Sequence, residues 1–107
     1  MGVSVSFERA LKDLIKTGVY YIGSKQSIKA LKLGKAKMVI MAENAPPQYK
    51  RKALYYAKLG GVPVYVYRGT SVELGLLAGK PFRISMIAVV DEGSSNILRL
   101  AEEESGR

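Results

Sequence analysis

The chain has 107 residues, enough for one domain with its own hydrophobic core. It contains no Cys, His or Trp, which excludes disulfides, thiolate catalysis, Cys/His zinc sites and a histidine general base. No apolar run approaches the ~18 residues that a membrane span needs, so we expect no membrane-spanning segment and no partner inside a membrane.

The formal net charge is +8, and the basic residues are concentrated in the middle of the chain. Between Asp13 and Glu73 there are eleven Lys or Arg residues and a single acidic one, Glu43. The end of the chain is acidic instead, with Glu102, Glu103 and Glu104 in a row. Such asymmetry favours a polyanionic partner, namely RNA, DNA or an anionic membrane; a merely soluble basic surface is the alternative.

Helix and strand patterns alternate along the chain. Apolar residues at helical spacing predict four helices, which end near Gly18, Gly34, Leu59 and Gly79. Apolar and β-branched runs predict strands over 19–22, 37–42, 62–67 and 84–90, the second covered on both faces. A turn over 91–95 leads to a short terminal helix or extended piece, and the last few residues are expected to fray. This alternation predicts one α/β domain over 1–107, with a sheet between helical layers.

Polar residues mark where the helices begin. We expect Ser6 to cap the first helix, Ser24 or Ser27 the second, and Asn44 the third, which continues through Pro46-Pro47. Thr70 and Glu73 have the spacing of a capping box at the start of the fourth helix. The tyrosines at 20, 21, 65 and 67 alternate within strands and are expected to pack.

The segment Gly23-Ser24-Lys25-Gln26-Ser27, with Lys29 one turn later, joins the first strand to the second helix. Unpaired backbone N–H groups and the positive end of the helix dipole suit an anion there. Lys25 would grip a phosphate, and the Ser and Gln side chains would reach base or sugar edges. The alternative is a plain turn with a solvated lysine; the segment is neither a Walker loop nor a dinucleotide fingerprint.

Two further loops carry candidate binding residues. Asn44 follows the second strand, and it would lie on the same rim as Lys25 if the first two strands share a direction. Its amide could read a base edge, or could serve only as a helix cap. In the loop Gly79-Lys80-Pro81-Phe82-Arg83, Phe82 could stack on an unpaired base, or fold back against the sheet edge. Lys50, Arg51 and Lys52 lie early in the third helix, against the preference of the dipole, which hints at an anion; a solvated face is the alternative.

Five ordered segments resemble the large-subunit ribosomal protein 30e family of archaea and eukaryotes, within the 7Ae kink-turn-binding superfamily. They are GSKQS at 23–27, AENAP at 42–46, YYA at 55–57, GTSVELG at 69–75 and GKPFR at 79–83. The resemblance implies a three-layer α/β/α sandwich with a four-stranded mixed sheet, and a binding protein rather than an enzyme. It implies no cofactor and no metal.

The resemblance also implies the RNA contacts. Gly23, Lys25 and Gln26 would meet a kink-turn, Asn44 would contact a guanine of its sheared pairs, and the loop at 80–83 would cover the flipped nucleotide. Candidate RNA-binding residues are Gly23, Ser24, Lys25, Gln26, Ser27, Lys29, Asn44, Lys50, Lys80, Pro81, Phe82 and Arg83.

The implied function is that of a cytoplasmic ribosomal protein, monomeric when free, which stabilises a kink-turn in ribosomal RNA beside other large-subunit proteins. A kink-turn-binding protein of another ribonucleoprotein, or a regulator of its own messenger RNA, is the alternative. A small α/β nucleotide-binding regulator is a remote third, because the chain lacks the loops and catalytic groups of such proteins.

Overall fold

Helices and strands alternate through the part of the chain that the structure describes. The computed structural model describes residues 2–105, with side chains for residues 7–101. The elements are α1 (Gly2–Thr17), β1 (Val19–Ile22), α2 (Ser24–Lys32), β2 (Met38–Ala42), α3 (Pro47–Gly60), β3 (Val64–Tyr67), α4 (Ser71–Leu77), β4 (Met86–Asp91) and α5 (Ile97–Ser105). The predicted α/β fold class is therefore confirmed.

The four strands form one mixed sheet in the order β1-β4-β2-β3. Strand β4 runs antiparallel to both β1 and β2, and β2 runs parallel to β3. Strands β1, β2 and β3 therefore share a direction. This is the arrangement under which Asn44 was expected to lie on the same rim as Lys25. Their carboxyl ends and the start of β4 lie along one edge of the sheet, which we call the carboxyl edge.

Each face of the sheet is covered by its own layer of helices. In β2, Met38, Ile40 and Ala42 belong to one buried cluster with residues of α1, α4 and α5, whereas Val39 and Met41 belong to a second with residues of α2 and α3. All five residues of β2 are buried, as predicted for this strand. The resulting three-layer α/β/α arrangement agrees with the one that the family resemblance implies.

Aromatic rings hold the layer formed by α1 against β3. The ring of Phe7 stacks on Tyr65 with centroids 4.5 Å apart and lies 5.6 Å from the ring of Tyr67. Burial, followed by the negative charges of Glu73 and Glu8, raises the pKa of Tyr67 above its ordinary value. Of the four strand tyrosines, Tyr21 is wrong as a packing residue: it shares with Val19 the more exposed face of β1, where its side chain is 38% exposed, whereas Tyr20 on the other face packs against the core.

Three of the predicted helix caps are wrong. Helix α1 begins at Gly2, so Ser6 lies inside it. The N-cap of α2 is Gly23, at φ 109°, so Ser24 is already helical and Ser27 lies farther along the same helix. Pro46 occupies the N-cap of α3 without a side-chain cap, which leaves Asn44 outside that helix altogether. A glycine at positive φ and a proline at φ −55° turn the chain into these helices by backbone geometry alone.

The other local predictions need only small changes. The capping box of α4 is confirmed: Glu73 N–H donates to Thr70 Oγ1 (3.2 Å) and Thr70 N–H donates to Glu73 Oε1 (2.8 Å). Strands β3 and β4 each begin two residues later than predicted: Pro63 lies just before β3, and Ile84 lies two residues before β4. The terminal segment is helical to Ser105, and residues 106–107, where fraying was expected, lie outside the described residues.

Candidate nucleic-acid interface

The turn from β1 into α2 depends on the backbone of Gly23. Its φ of 109° and ψ of 151° are strained for any residue with a side chain, although an added Cβ would meet no atom within 4 Å. Its N–H donates to Met86 O (2.8 Å), and its carbonyl accepts from Ser27 N–H (2.9 Å). No side chain caps α2, so its first turn presents backbone N–H groups together with the exposed side chains of Lys25 and Gln26.

The loop after β2 is held by a hydrogen bond that crosses to another helix. Asn44 Oδ1 accepts from Ser71 N–H at 2.8 Å, at the start of α4. A backbone N–H can only donate, so the facing atom must be the amide oxygen. The Asn44 NH₂ group has no acceptor among the described residues and lies on an exposed side chain. Asn44 therefore presents two donors from a fixed position.

The loop between α4 and β4 lies directly on helix α4. Lys80 N–H donates to Gly75 O (3.0 Å), and Ile84 N–H donates to Ser71 O (2.9 Å). A Cβ at Gly75 would overlap the carbonyl oxygen of Phe82 and come within 3.3 Å of Arg83 Cα. The absence of a side chain at Gly75 thus permits this close approach, which leaves the Phe82 side chain 51% exposed. Phe82 does not fold back into the sheet edge.

The three loops meet at the carboxyl edge. Gly23 N–H is bonded to Met86 O, and Ala42 N–H to Ser85 O (2.8 Å), so the ends of β1 and β2 both join the start of β4. Ser71 links the loop after β2 to the loop between α4 and β4, because its N–H donates to Asn44 Oδ1 and its carbonyl accepts from Ile84 N–H. Lys25, Asn44 and Phe82, which are far apart in sequence, are thereby carried on one hydrogen-bonded framework.

Most candidate residues are accessible at this edge, but their surroundings differ. Gly23, Ser24, Lys50 and Lys80 are half-buried, and Lys25, Gln26, Lys29, Asn44, Pro81, Phe82 and Arg83 are exposed. Ser27 is fully buried, and its hydroxyl has no hydrogen-bond partner among the described residues, so the structure does not place it on the surface. Lys50 donates from Nζ to the carbonyl oxygen of Glu43 (3.0 Å), which holds it beside the Asn44 loop.

Sequence reasoning missed part of this surface. Leu54 lines a shallow depression of about 430 Å³ at the start of α3, together with Glu43, Asn44 and Arg51. The basic run at 50–52 signals Arg51, but nothing local shows that Leu54 is 45% exposed.

Among the described residues, Glu43 is the acidic side chain that lines the depression at this edge, and no metal-binding cluster is found. Within residues 7–101 the ion pairs are Lys12–Glu8 (3.2 Å) and Lys37–Glu92 (3.4 Å), so the lysines and arginines of the three loops have no carboxylate partner there. The described residues hold no group of three or more His, Cys, Asp or Glu able to bind a metal ion. None of the described helices is long and apolar enough to cross a membrane.

These features define an α/β/α protein with a basic edge built from three loops, a candidate site for an RNA with unpaired bases. Residues 6–99 match the family model described as "Ribosomal protein L7Ae/L30e/S12e/Gadd45 family", and the chain belongs to this family. The resemblance seen in the five sequence segments is therefore confirmed.

Similar proteins cover nearly the whole chain. A protein of Aeropyrum pernix is 58% identical over 99 residues, which are 92% of this chain and 99% of that protein. A protein of Saccharolobus solfataricus is 50% identical over 92% of each chain. Both are named "Large ribosomal subunit protein eL30", names that agree with the expectation of a protein that is not an enzyme.

A solved structure shares the fold. It is described as "The structure of a protein with unknown function from Bacillus halodurans C". Its TM-score is 0.75 at 27% identity, over 90% of this chain and 96% of that one.

Proposed function

We propose that this chain is a protein of the large ribosomal subunit that binds and stabilises a kink-turn of ribosomal RNA at its carboxyl edge. The family membership and the names of the relatives support the ribosomal part of the proposal. In this role the protein works in the cytoplasm as part of the ribosome, next to other large-subunit proteins, and the free chain is a monomer.

One observation carries the RNA-binding part: a single residue, Ser71, holds both the loop that would read a base and the loop that would stack on one. Its N–H fixes Asn44 by the amide oxygen, and its carbonyl fixes the loop that presents Phe82. Ser71 itself is only 3% exposed, so these bonds are shielded from water. The two side chains are thus pre-positioned before RNA arrives, which reduces the entropy that binding has to offset.

The three loops offer three different kinds of contact. Lys25 and the first-turn N–H groups of α2 face phosphate, the NH₂ of Asn44 can donate to a base edge, and Phe82 can stack on a flipped base. A kink-turn supplies all three partners close together, whereas a regular RNA duplex keeps its bases stacked and its deep groove closed to side chains. The protein would therefore select the bent conformer from the RNA ensemble, because only that conformer satisfies all three loops.

The test compares a kink-turn RNA with a fully paired duplex of equal length at one salt concentration. We expect the kink-turn to bind much more tightly, and Phe82→Ala to weaken that binding by roughly 5- to 150-fold, from ~1–3 kcal/mol of base stacking. Tyr55→Ala is the matched control, because Tyr55 is an exposed aromatic (60%) on α3. Equal affinity for the two RNAs would overturn the proposal and leave only nonspecific attraction of charge.

Oligomeric state is tested separately by sedimentation of the free protein. A monomer is expected, and a stable dimer would contradict that part of the proposal.

A further inference from the structure

A second basic surface extends from the carboxyl edge along the outside of the helical layer formed by α2 and α3. A groove of about 430 Å³ lies between these helices, lined by Lys25, Ile28, Lys29, Lys32, Tyr49 and Lys52. We call it the α2–α3 groove. Four of its six lining residues are lysines, and none is acidic.

The helical repeat aligns the α2 lysines. Lys25, Lys29 and Lys32 are spaced i, i+4 and i+7, which places them on one stripe of the helix. At 1.5 Å of rise per residue this stripe is roughly 10 Å long. It begins at Lys25, which belongs to the carboxyl edge, and leads away from that edge.

Close packing of the two helices brings the other wall into place. Ala53 and Ala57 of α3 are buried in the same cluster as Ile28 and Leu31 of α2. These small residues let the helix axes approach, so Tyr49 and Lys52 on α3 face the lysine stripe across a narrow gap.

Among the side chains that the structure describes, no carboxylate forms an ion pair with a groove lysine. Neither ion pair found within residues 7–101 involves them. Lys32 Nζ instead lies 5.3 Å from the centre of the Tyr56 ring, a contact that positions the ammonium group without neutralising it. Four lysines that line one groove form a positive patch, which attracts an anionic partner.

We propose that the α2–α3 groove binds the sugar–phosphate backbone of the RNA stem adjoining the kink-turn, so that Lys32 and Lys52 extend the footprint beyond the three loops. Lysines are flexible point charges that follow a phosphate backbone without requiring one geometry, and the groove carries no fork of donors for a carboxylate. This continuity with the carboxyl edge favours RNA over an acidic protein segment. The inference rests on the proposed function, since the stem is that of the same RNA.

The experiment uses the full chain and two RNAs that share one kink-turn but differ in stem length, one stem ending at the turn and the other longer. Lys32→Gln/Lys52→Gln should lower affinity for the long-stem RNA by roughly tenfold and reduce its salt slope by nearly two, with little effect on the short-stem RNA. Glutamine is a good helix former, so the fold should persist, as circular dichroism would check. Lys12→Gln/Lys16→Gln on α1, in the opposite layer, removes the same charge and should change neither value appreciably.

Three results would overturn the inference. The first is equal affinity of the groove variant and the wild type for the long-stem RNA. The second is an equal loss of affinity in the α1 control. The third is unchanged RNA affinity with loss of binding to a polyglutamate peptide, which would assign the groove to acidic protein. Failure of the proposed function has a different signature: the wild type would bind the kink-turn RNA and the paired duplex with equal affinity. In that event the groove variant is measured on the long paired duplex, where the same drop in salt slope is expected.

Discussion

Replacing Gly75 with alanine tests how the loop that carries Phe82 is held. Two effects of opposite sign compete at this position. Alanine is preferred over glycine inside a helix by ~1 kcal/mol, which alone would stabilise α4. The new Cβ, however, would overlap the carbonyl oxygen of Phe82 and lie 3.1 Å from its carbonyl carbon. Overpacking of this kind costs typically about 1–3 kcal/mol.

The clash should prevail, because the atoms in the way are backbone. A flexible side chain could rotate away, but the loop is tied on both sides by the bonds from Lys80 N–H to Gly75 O and from Ile84 N–H to Ser71 O. The net loss of unfolding free energy is expected to be roughly 0–2 kcal/mol from these two terms. RNA affinity should fall further, by at least tenfold, because the displaced loop takes Phe82 away from its stacking position.

The measurement pairs urea unfolding, followed by circular dichroism, with binding of a kink-turn RNA followed by fluorescence anisotropy. Gly60→Ala is the matched control, since the nearest atom to its added Cβ is Val62 Cγ2 at an ordinary 3.5 Å. That variant should be unchanged or slightly more stable and should bind RNA normally. If Gly75→Ala were as stable as the wild type and bound RNA equally well, the described packing of the loop on α4 would be refuted. A loss of stability without loss of affinity would remove the loop from the RNA contact.

Further predictions concern three single positions, Asn44, Gly23 and Tyr67. Asn44→Ala leaves Ser71 N–H without its acceptor and should lower the unfolding free energy by ~1 kcal/mol. Asn44→Asp keeps the acceptor and the stability but removes the amide donors, so unaltered RNA binding by this variant would contradict a donor role for Asn44. Gly23→Ala should cost about 1–3 kcal/mol in urea unfolding because of its φ of 109°, and an unchanged midpoint would argue against that conformation. The raised pKa of Tyr67 means that its contribution to stability is constant below about pH 10 and declines as the pH rises further. Tyr67→Phe should therefore flatten the alkaline loss of stability, and identical profiles would count against the shift.

Local signals were sufficient where the partners of a residue lie within one turn of it. Thr70 and Glu73 of the capping box are three positions apart, and the continuous apolar composition of β2 is enough to predict that this strand is buried. The two ends of α3 are marked by equally local signals: Pro47 occupies its first helical position, and Gly61, in the left-handed conformation, caps its end.

Local reasoning failed where a residue's partner comes from elsewhere in the chain. Asn44 resembles a cap for the helix that follows it, yet its oxygen caps a backbone N–H 27 residues later. Ser27 looks like an exposed hydroxyl in a binding loop, but packing of α2 on the sheet buries it. Neither outcome is encoded in the neighbouring residues, because both depend on which elements the sheet brings together.

The alternation of helices and strands, the excess of positive charge in the middle of the chain and, through five ordered segments, the family could all be read from the amino-acid sequence. These properties follow from residue types and from spacings along the chain. Tertiary structure alone decided that three distant loops share one edge, because this requires the strand order β1-β4-β2-β3 and the bonds that join Gly23, Ala42 and Ser71 to their neighbours. It also decided that Phe82 stays exposed, since only the close approach of its loop to Gly75 holds it there.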